Sequence, residues 1–246
     1  MIQLKRFIRK IIRPRSTVAM QKLYGNTLGW EALPSSPQST TGYIFDGHSI
    51  SLPWFTYPAI AQLLRMELKG EKVLEYGSGS STNFLLEQGC IVHSIEDNKD
   101  WADYINTKIG DNAQLNIVLK PEDQGYVQSA QQLATINPSI VLIDGKKRRD
   151  CASEVVRYLG GNQESKSLWM VILDNSDWHG SSYSTLASCE ELIGFDFYGH
   201  GPYNSYSWCT TLFVRLDSTQ LRNKIEHAGP AKPMRNGLID NWSENE

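Results

Sequence analysis

The chain has 246 residues, with 24 lysines and arginines against 27 aspartates and glutamates, for a formal net charge of -3 at pH 7. Its 40% hydrophobic and 21% charged residues suit a folded protein with one large core, which excludes wholesale disorder and leaves no electrostatic footprint for nucleic acid. No run approaches the roughly 20 apolar residues needed to cross a bilayer, and Cys90, Cys151, Cys189 and Cys209 are too scattered for a metal finger.

In chain order, the first feature is a basic segment. Lys5, Arg6, Arg9, Lys10, Arg13 and Arg15 fall within the first fifteen residues, which contain no acid. Leu4, Phe7, Ile8, Ile11 and Ile12 form an apolar helical stripe opposite those cations, and Pro14 ends it. A helix over 1–15 of this kind either docks on its own domain or a second subunit, or touches an anionic membrane reversibly through residues 2–13. With no signal-type stretch ahead of them, the cysteines predict reduced thiols and a cytoplasmic protein, peripheral to a membrane at most.

Residues 16–52, rich in Gly, Ser, Thr and Pro, predict a loop or lid. A helix is expected from about Pro58, a residue suited to a first helical turn. Strand-like runs follow at 72–76, 90–96, 114–119, 139–144, 168–174, 194–199 and 207–215, the first six separated by helix-length stretches as in βαβ units. Only residues 200–206 join the last two runs, too few for a parallel crossover, so that pair must be antiparallel. A polar tail occupies 217–246.

The stretch "VLEYGSGSST", residues 73–82, ends a strand in a carboxylate and turns through glycines into a helix. Gly77 and Gly79 let the backbone turn tightly and approach a ligand. A dinucleotide turn would place a third glycine where Thr82 stands; what is left is acid-x-Gly-x-Gly, with the Glu75 carboxylate facing the pocket, where it would repel a pyrophosphate. Glu96 lies 21 residues after Glu75, at the tip of the second strand, placed to accept both hydroxyls of a ribose. The ligand so described is a nucleoside carrying a positive group.

From about Pro53 to Leu216, "VLEYGSGSST", "VHSIEDNKDW", "IVLIDG", "VILDNSD" and the closing hairpin resemble the class I S-adenosylmethionine-dependent methyltransferases. The resemblance implies a Rossmann-like α/β domain over 53–216. Its seven-stranded, mostly parallel sheet would run 3-2-1-4-5-7-6 with the last strand antiparallel and helices on both faces. It places Glu75, Gly77 and Gly79 around the methionine moiety, Glu96 on the ribose, and Asp97 and Asn98 beside the adenine. Ser78, Ser81, Thr82 and Asp144 complete the expected cofactor set.

Beyond the strand ends lie Asp144, Asp174 and Asn175, oxygen donors suited to Mg²⁺. They resemble the catechol O-methyltransferase type of site, with Lys147 in the lysine position. "IDGKKRRD" resembles equally a metal-free branch with an IDG-x-x-R signature. Lys146, Lys147, Arg148 and Arg149 crowd a helix start where cations are unfavourable, so an anionic acceptor, met by Arg148 above all, would compensate them. Asp144, Lys147 and His179 are the candidate bases. Trp54, Tyr57, Tyr203 and Tyr206 are the expected walls for a small-molecule or glycan acceptor. Three functions are consistent with these features: O-methyl transfer to a small molecule or sugar, nicotinamide-dependent oxidoreduction, and non-catalytic nucleoside binding.

Overall fold

A computed structural model describes residues 43–45, 48–161, 167–202 and 206–215, with side chains from residue 51 onward. The expected basic helix, most of the 16–52 segment, Tyr203 and the 217–246 tail lie outside the described residues. Within the predicted loop, β1 (Tyr43–Phe45) and β2 (His48–Ile50) pair antiparallel. The Asp-Gly dipeptide between them in the sequence is the hairpin signal that the loop reading passed over.

The remaining elements are α1 (Tyr57–Leu63), β3 (Lys72–Tyr76), α2 (Ser80–Glu87), β4 (Ile91–Glu96), α3 (Lys99–Ile109), β5 (Leu115–Leu119), α4 (Ala130–Ile136), β6 (Ile140–Ile143), α5 (Arg148–Leu159), β7 (Met170–Asp174), α6 (Gly180–Ala187), β8 (Leu192–Gly199) and β9 (Trp208–Arg215). The seven strands from β3 onward form one sheet in the order β5-β4-β3-β6-β7-β9-β8. Counted from β3, that is the 3-2-1-4-5-7-6 order implied above. β9 runs antiparallel to both β7 and β8, as the short connection between the last two strands requires.

Side-chain alternation explains the two layers. β6 and β7 are buried along their whole length, the mark of parallel strands covered on both faces. Val73, Ile140, Leu142, Met170 and Ile172 point to one face, against Ile60 and Leu63 of α1 and Phe84 and Leu85 of α2. Leu74, Val141, Ile143, Val171 and Leu173 point to the other, against Leu133 of α4, Val155 and Leu159 of α5, and Leu186 of α6. Each buried aliphatic side chain contributes roughly 1.5–3 kcal/mol.

β3 pairs with β4 on one side and β6 on the other. The chain therefore winds outward from β3 in one direction, then crosses back to β6 and winds in the other. Open α/β sheets bind ligands at such a reversal, beyond the carboxyl ends of the strands. Glu75, Glu96, Asp144 and Asp174 all lie at those ends.

Candidate functional site

Two glycines meet at the reversal. Gly77, with φ +92, follows β3, and a Cβ there would lie 2.7 Å from the Cα of Gly145, which follows β6. A Cβ on Gly145 would in turn lie 2.0 Å from the Tyr126 hydroxyl and 2.9 Å from the Gly77 nitrogen. The two turns are in direct backbone contact, which only glycine allows. Gly79 is different: its φ of 176 is ordinary extended backbone, and a Cβ there would meet nothing within 4 Å. The space over Gly79 is open.

Glu75 does not face that space, contrary to the sequence reading. It is fully buried, and its oxygens accept from the hydroxyls of Ser81 (2.6 Å), Thr82 (2.6 Å) and Ser94 (2.8 Å). Ser94 is its register partner on β4, and Ser81 and Thr82 lie in the first turn of α2. The carboxylate is thus drawn beneath a helix N-terminus, where free N–H groups favour negative charge. Burial pushes its pKa from 4.5 to about 7, against the lowering effect of the three hydroxyl bonds. Thr82 also accepts from the Gly79 N–H at 2.8 Å, so one hydroxyl ties the glycine turn to Glu75. Ser81 and Thr82, expected at the cofactor, are buried in this network.

Glu96, at the tip of β4, lies alongside the turn. Its Oε2 accepts from the Ser78 N–H and hydroxyl, both at 2.9 Å, and its Oε1 from the N–H groups of Asp97 and Asn98, both at 3.0 Å. The Asn98 side chain caps α3 by accepting from the Trp101 N–H at 3.1 Å. Trp101, which the sequence reading did not single out, donates its indole N–H to the Ser78 carbonyl at 2.8 Å. It stacks on Tyr104 with ring centroids 5.3 Å apart, and both rings are exposed.

At the ends of β6 and β7 the structure brings Asp144, Arg148 and Asn175 together. The Arg148 guanidinium donates from Nε to the Gly145 carbonyl (3.0 Å), from Nη1 to the Asp174 carbonyl (2.6 Å) and Asn175 Oδ1 (3.2 Å), and from Nη2 to the Asp144 carbonyl (2.5 Å) and Oδ1 (3.0 Å). His179 stands at the N-cap position of α6, and its backbone N–H donates to the Asn175 carbonyl at 3.0 Å. Its pKa is lowered, by partial burial first and then by the Arg148 charge, so it is neutral at neutral pH.

The expected metal set does not fit a divalent cation. The Asp174 carboxylate turns away onto β9, where its Oδ1 accepts from Thr210 (2.5 Å) and Trp208 (3.1 Å), and a guanidinium already lies against Asp144 and Asn175. Among the described residues no group of three or more His, Cys, Asp and Glu side chains is arranged for a metal. Burial raises the carboxyls of both Asp144 and Asp174.

The basic run resolves into separate roles. Lys146 pairs with Glu122 at 3.4 Å, Arg148 bends back over the strand ends, and Lys147 and Arg149 are exposed. Asp150 supplies the favourable charge in the first turn of α5.

Of the expected aromatic walls, Tyr57 is a correction. It is buried in the core at the start of α1, because the segment before it is anchored inward. The Thr56 N–H donates to Thr210 Oγ1 at 3.1 Å, and Thr210 in turn donates to Asp174. Trp54 is exposed on that anchored segment. Tyr206 is exposed and packs against Trp178, with centroids 5.6 Å apart, and against Trp208 at 5.8 Å. Trp178 is a further residue that sequence reasoning passed over. Its backbone N–H donates to the carbonyl of Asn175 at 2.9 Å, which places an exposed indole one turn after Asn175, a partner of Arg148. The signal was its position three residues after the Asp174-Asn175 strand end.

No protein-family model matches the chain. No curated protein matches it either. Solved structures of similar topology include an O-methyltransferase from Bacillus cereus in complex with SAH, at 16% identity over 67% of this chain and 84% of that chain, TM-score 0.45. Another is Aeropyrum pernix fibrillarin with natively bound S-adenosyl-L-methionine, at 13% identity over 63% of this chain and 73% of that one, TM-score 0.42. A third is the Methanococcus jannaschii fibrillarin pre-rRNA processing protein, at 12% identity over 74% and 85%, TM-score 0.46. At such identities and scores the strand order, rather than the likeness, carries the fold. By the order and direction of its seven strands, the chain has the class I methyltransferase fold.

Proposed function

We propose that the protein transfers a methyl group from S-adenosylmethionine to an oxygen of a small molecule or sugar. The observation that carries this reading is the open space over Gly79 at the sheet reversal, bordered by the Glu96 carboxylate. A carboxylate in this place accepts a ribose hydroxyl, and Thr82, where a dinucleotide turn has its third glycine, speaks against a pyrophosphate. Of the four donors on Glu96, only the Ser78 hydroxyl can rotate away without moving backbone. Its rotation frees an Oε2 lone pair for a ribose hydroxyl. Trp101 and Asp97 lie on the side where the base would extend. Bound there, S-adenosylmethionine would supply an electrophilic methyl group, its carbon–sulfur bond breaking as the acceptor oxygen attacks.

The chain's own part is to align the acceptor and take its proton. His179 is the base this geometry favours, because it is neutral and lies beside the strand ends. Asp144, at the end of β6, is held by Arg148 at 3.0 Å. Trp178 and Tyr206 offer an apolar face for the acceptor ring, and the exposed Lys147 and Arg149 offer charge to an anionic acceptor.

Label transfer from methyl-labelled S-adenosylmethionine to a panel of phenols and acidic sugars tests the reading. Label in an ether or ester product supports it. Binding of S-adenosylhomocysteine without any transfer would favour a non-catalytic module, and stabilisation by NAD alone would favour an oxidoreductase.

A further inference from the structure

We propose that Arg148 is a built-in cation, standing where a divalent metal would bridge the ends of β6 and β7, and that it positions Asp144 and Asn175 instead of contacting the acceptor.

A guanidinium has five N–H donors in a fixed plane and no acceptor. In this structure all five are used, on the carbonyls of Asp144, Gly145 and Asp174, the Asn175 side-chain oxygen and the Asp144 carboxylate. No N–H remains for a carboxylate, sulfate or phosphate of the acceptor. The side chain is only 12% exposed. Its five partners are all oxygens, the kind of surroundings a hard cation takes.

The backbone on either side is shaped to this purpose. Lys147 and Asn175 both adopt the left-handed region, with φ 47 and φ 50, where non-glycine residues are uncommon. The bend at Lys147 sends the first side chain of α5 back over the strand ends, and the bend at Asn175 presents its amide oxygen to the guanidinium. Carbonyls at the carboxyl ends of parallel strands have no ladder partner, and buried ones must find a donor. Arg148 satisfies one from each strand end and one from the turn between. Its charge is permanent, so the arrangement holds whatever the metal concentration.

Two consequences follow. The folded protein needs no divalent cation, and any anion recognition falls to Lys147 and Arg149. Only the effect of Arg148 on turnover rests on the methyl-transfer reading, so stability and activity are measured separately. In thermal unfolding, wild-type protein should melt at the same temperature with a chelator, with millimolar Mg²⁺ and with millimolar Ca²⁺. Arg148→Ala should melt several degrees lower and recover part of that loss with Ca²⁺, whose flexible coordination suits the five oxygens left behind. Arg148→Lys keeps the charge but has three donors, and should fall between the two. A chelator-sensitive wild type, or an Arg148→Ala protein that melts like wild type or ignores Ca²⁺, would overturn the proposal. Should Arg148→Ala not fold, the wild-type comparison and Arg148→Lys still decide the matter.

A turnover readout separates positioning from bulk stability. Arg148 spends every N–H on the chain's own oxygens, so a folded Arg148→Lys protein assayed below its melting temperature should lose kcat with the KM for the acceptor unchanged. A raised KM with kcat unchanged would mean that Arg148 meets the acceptor, and would contradict the positioning role.

Discussion

Replacing Glu75 with glutamine removes a buried charge and keeps the shape of the side chain. In the native protein the carboxyl is raised from 4.5 to about 7, by burial above all. The folded state therefore holds that proton more tightly than the unfolded chain does. A carboxyl with a raised folded value stabilises the fold fully below its unfolded value, and that contribution is lost as pH climbs through the folded value. At about 1.36 kcal/mol per pH unit, the interval from 4.5 to about 7 corresponds to roughly 3 kcal/mol, most of it lost between about pH 5 and pH 8. Glutamine does not titrate. Asp144 and Asp174, whose carboxyls are also raised, titrate in both proteins and largely cancel in the comparison. The hydroxyls of Ser81, Thr82 and Ser94 can rotate to meet a carboxamide, at the cost of about one hydrogen bond, 0.5–1.5 kcal/mol, at every pH. Urea unfolding of both proteins across this range measures the difference. It should shift in favour of Glu75→Gln by about 2–3 kcal/mol between pH 5 and pH 8. A difference that stays level with pH would refute the inward, buried placement of Glu75.

Three further outcomes are expected. Gly79→Ala should leave stability within about 0.5 kcal/mol, since its Cβ meets nothing, yet weaken S-adenosylhomocysteine binding in a titration; Gly145→Ala, whose Cβ would collide with Tyr126 and the Gly77 backbone, should lose at least about 1–3 kcal/mol in urea unfolding. His179→Gln should reduce methyl transfer by about 10²–10⁴-fold with cofactor affinity unchanged, and the wild-type rate should fall with an acid limb below pH 6.5 as the imidazole becomes charged. Trp178→Ala should raise the KM for the acceptor more than it lowers kcat, as steady-state kinetics would report, because the exposed indole supplies apolar contact rather than proton transfer.

The sheet was legible in the sequence because its signals are local. Buried parallel strands such as "IVLI" and "MVILD" read as unbroken apolar runs, and a short connection dictates an antiparallel pair whatever the rest of the fold. The site was legible in position but not in orientation. A carboxylate at the end of a strand can turn out toward a ligand or in beneath the next helix. For Glu75 the choice was made by Ser94, a register partner no spacing rule identifies. From sequence, Arg148 reads as the cation that meets an anionic acceptor, because the left-handed bend at Lys147 that turns it back over the strand ends is a backbone property with no glycine to announce it. Tyr57 stands in an aromatic run whose faces are sorted by long-range bonds, Thr56 to β8 and β9 and the Tyr57 N–H to the His200 carbonyl at 2.7 Å.

Calorimetric titration of S-adenosylhomocysteine into wild-type protein and Glu96→Gln is the most direct measurement of the nucleoside site. Wild type should bind one molecule per chain, and Glu96→Gln at least tenfold more weakly, about 1.4 kcal/mol, since a carboxamide cannot accept from the N–H groups of Ser78, Asp97 and Asn98 and from a ribose hydroxyl together. Wild-type protein that takes up no S-adenosylhomocysteine, or a folded Glu96→Gln variant that binds it as tightly as wild type, would contradict the account.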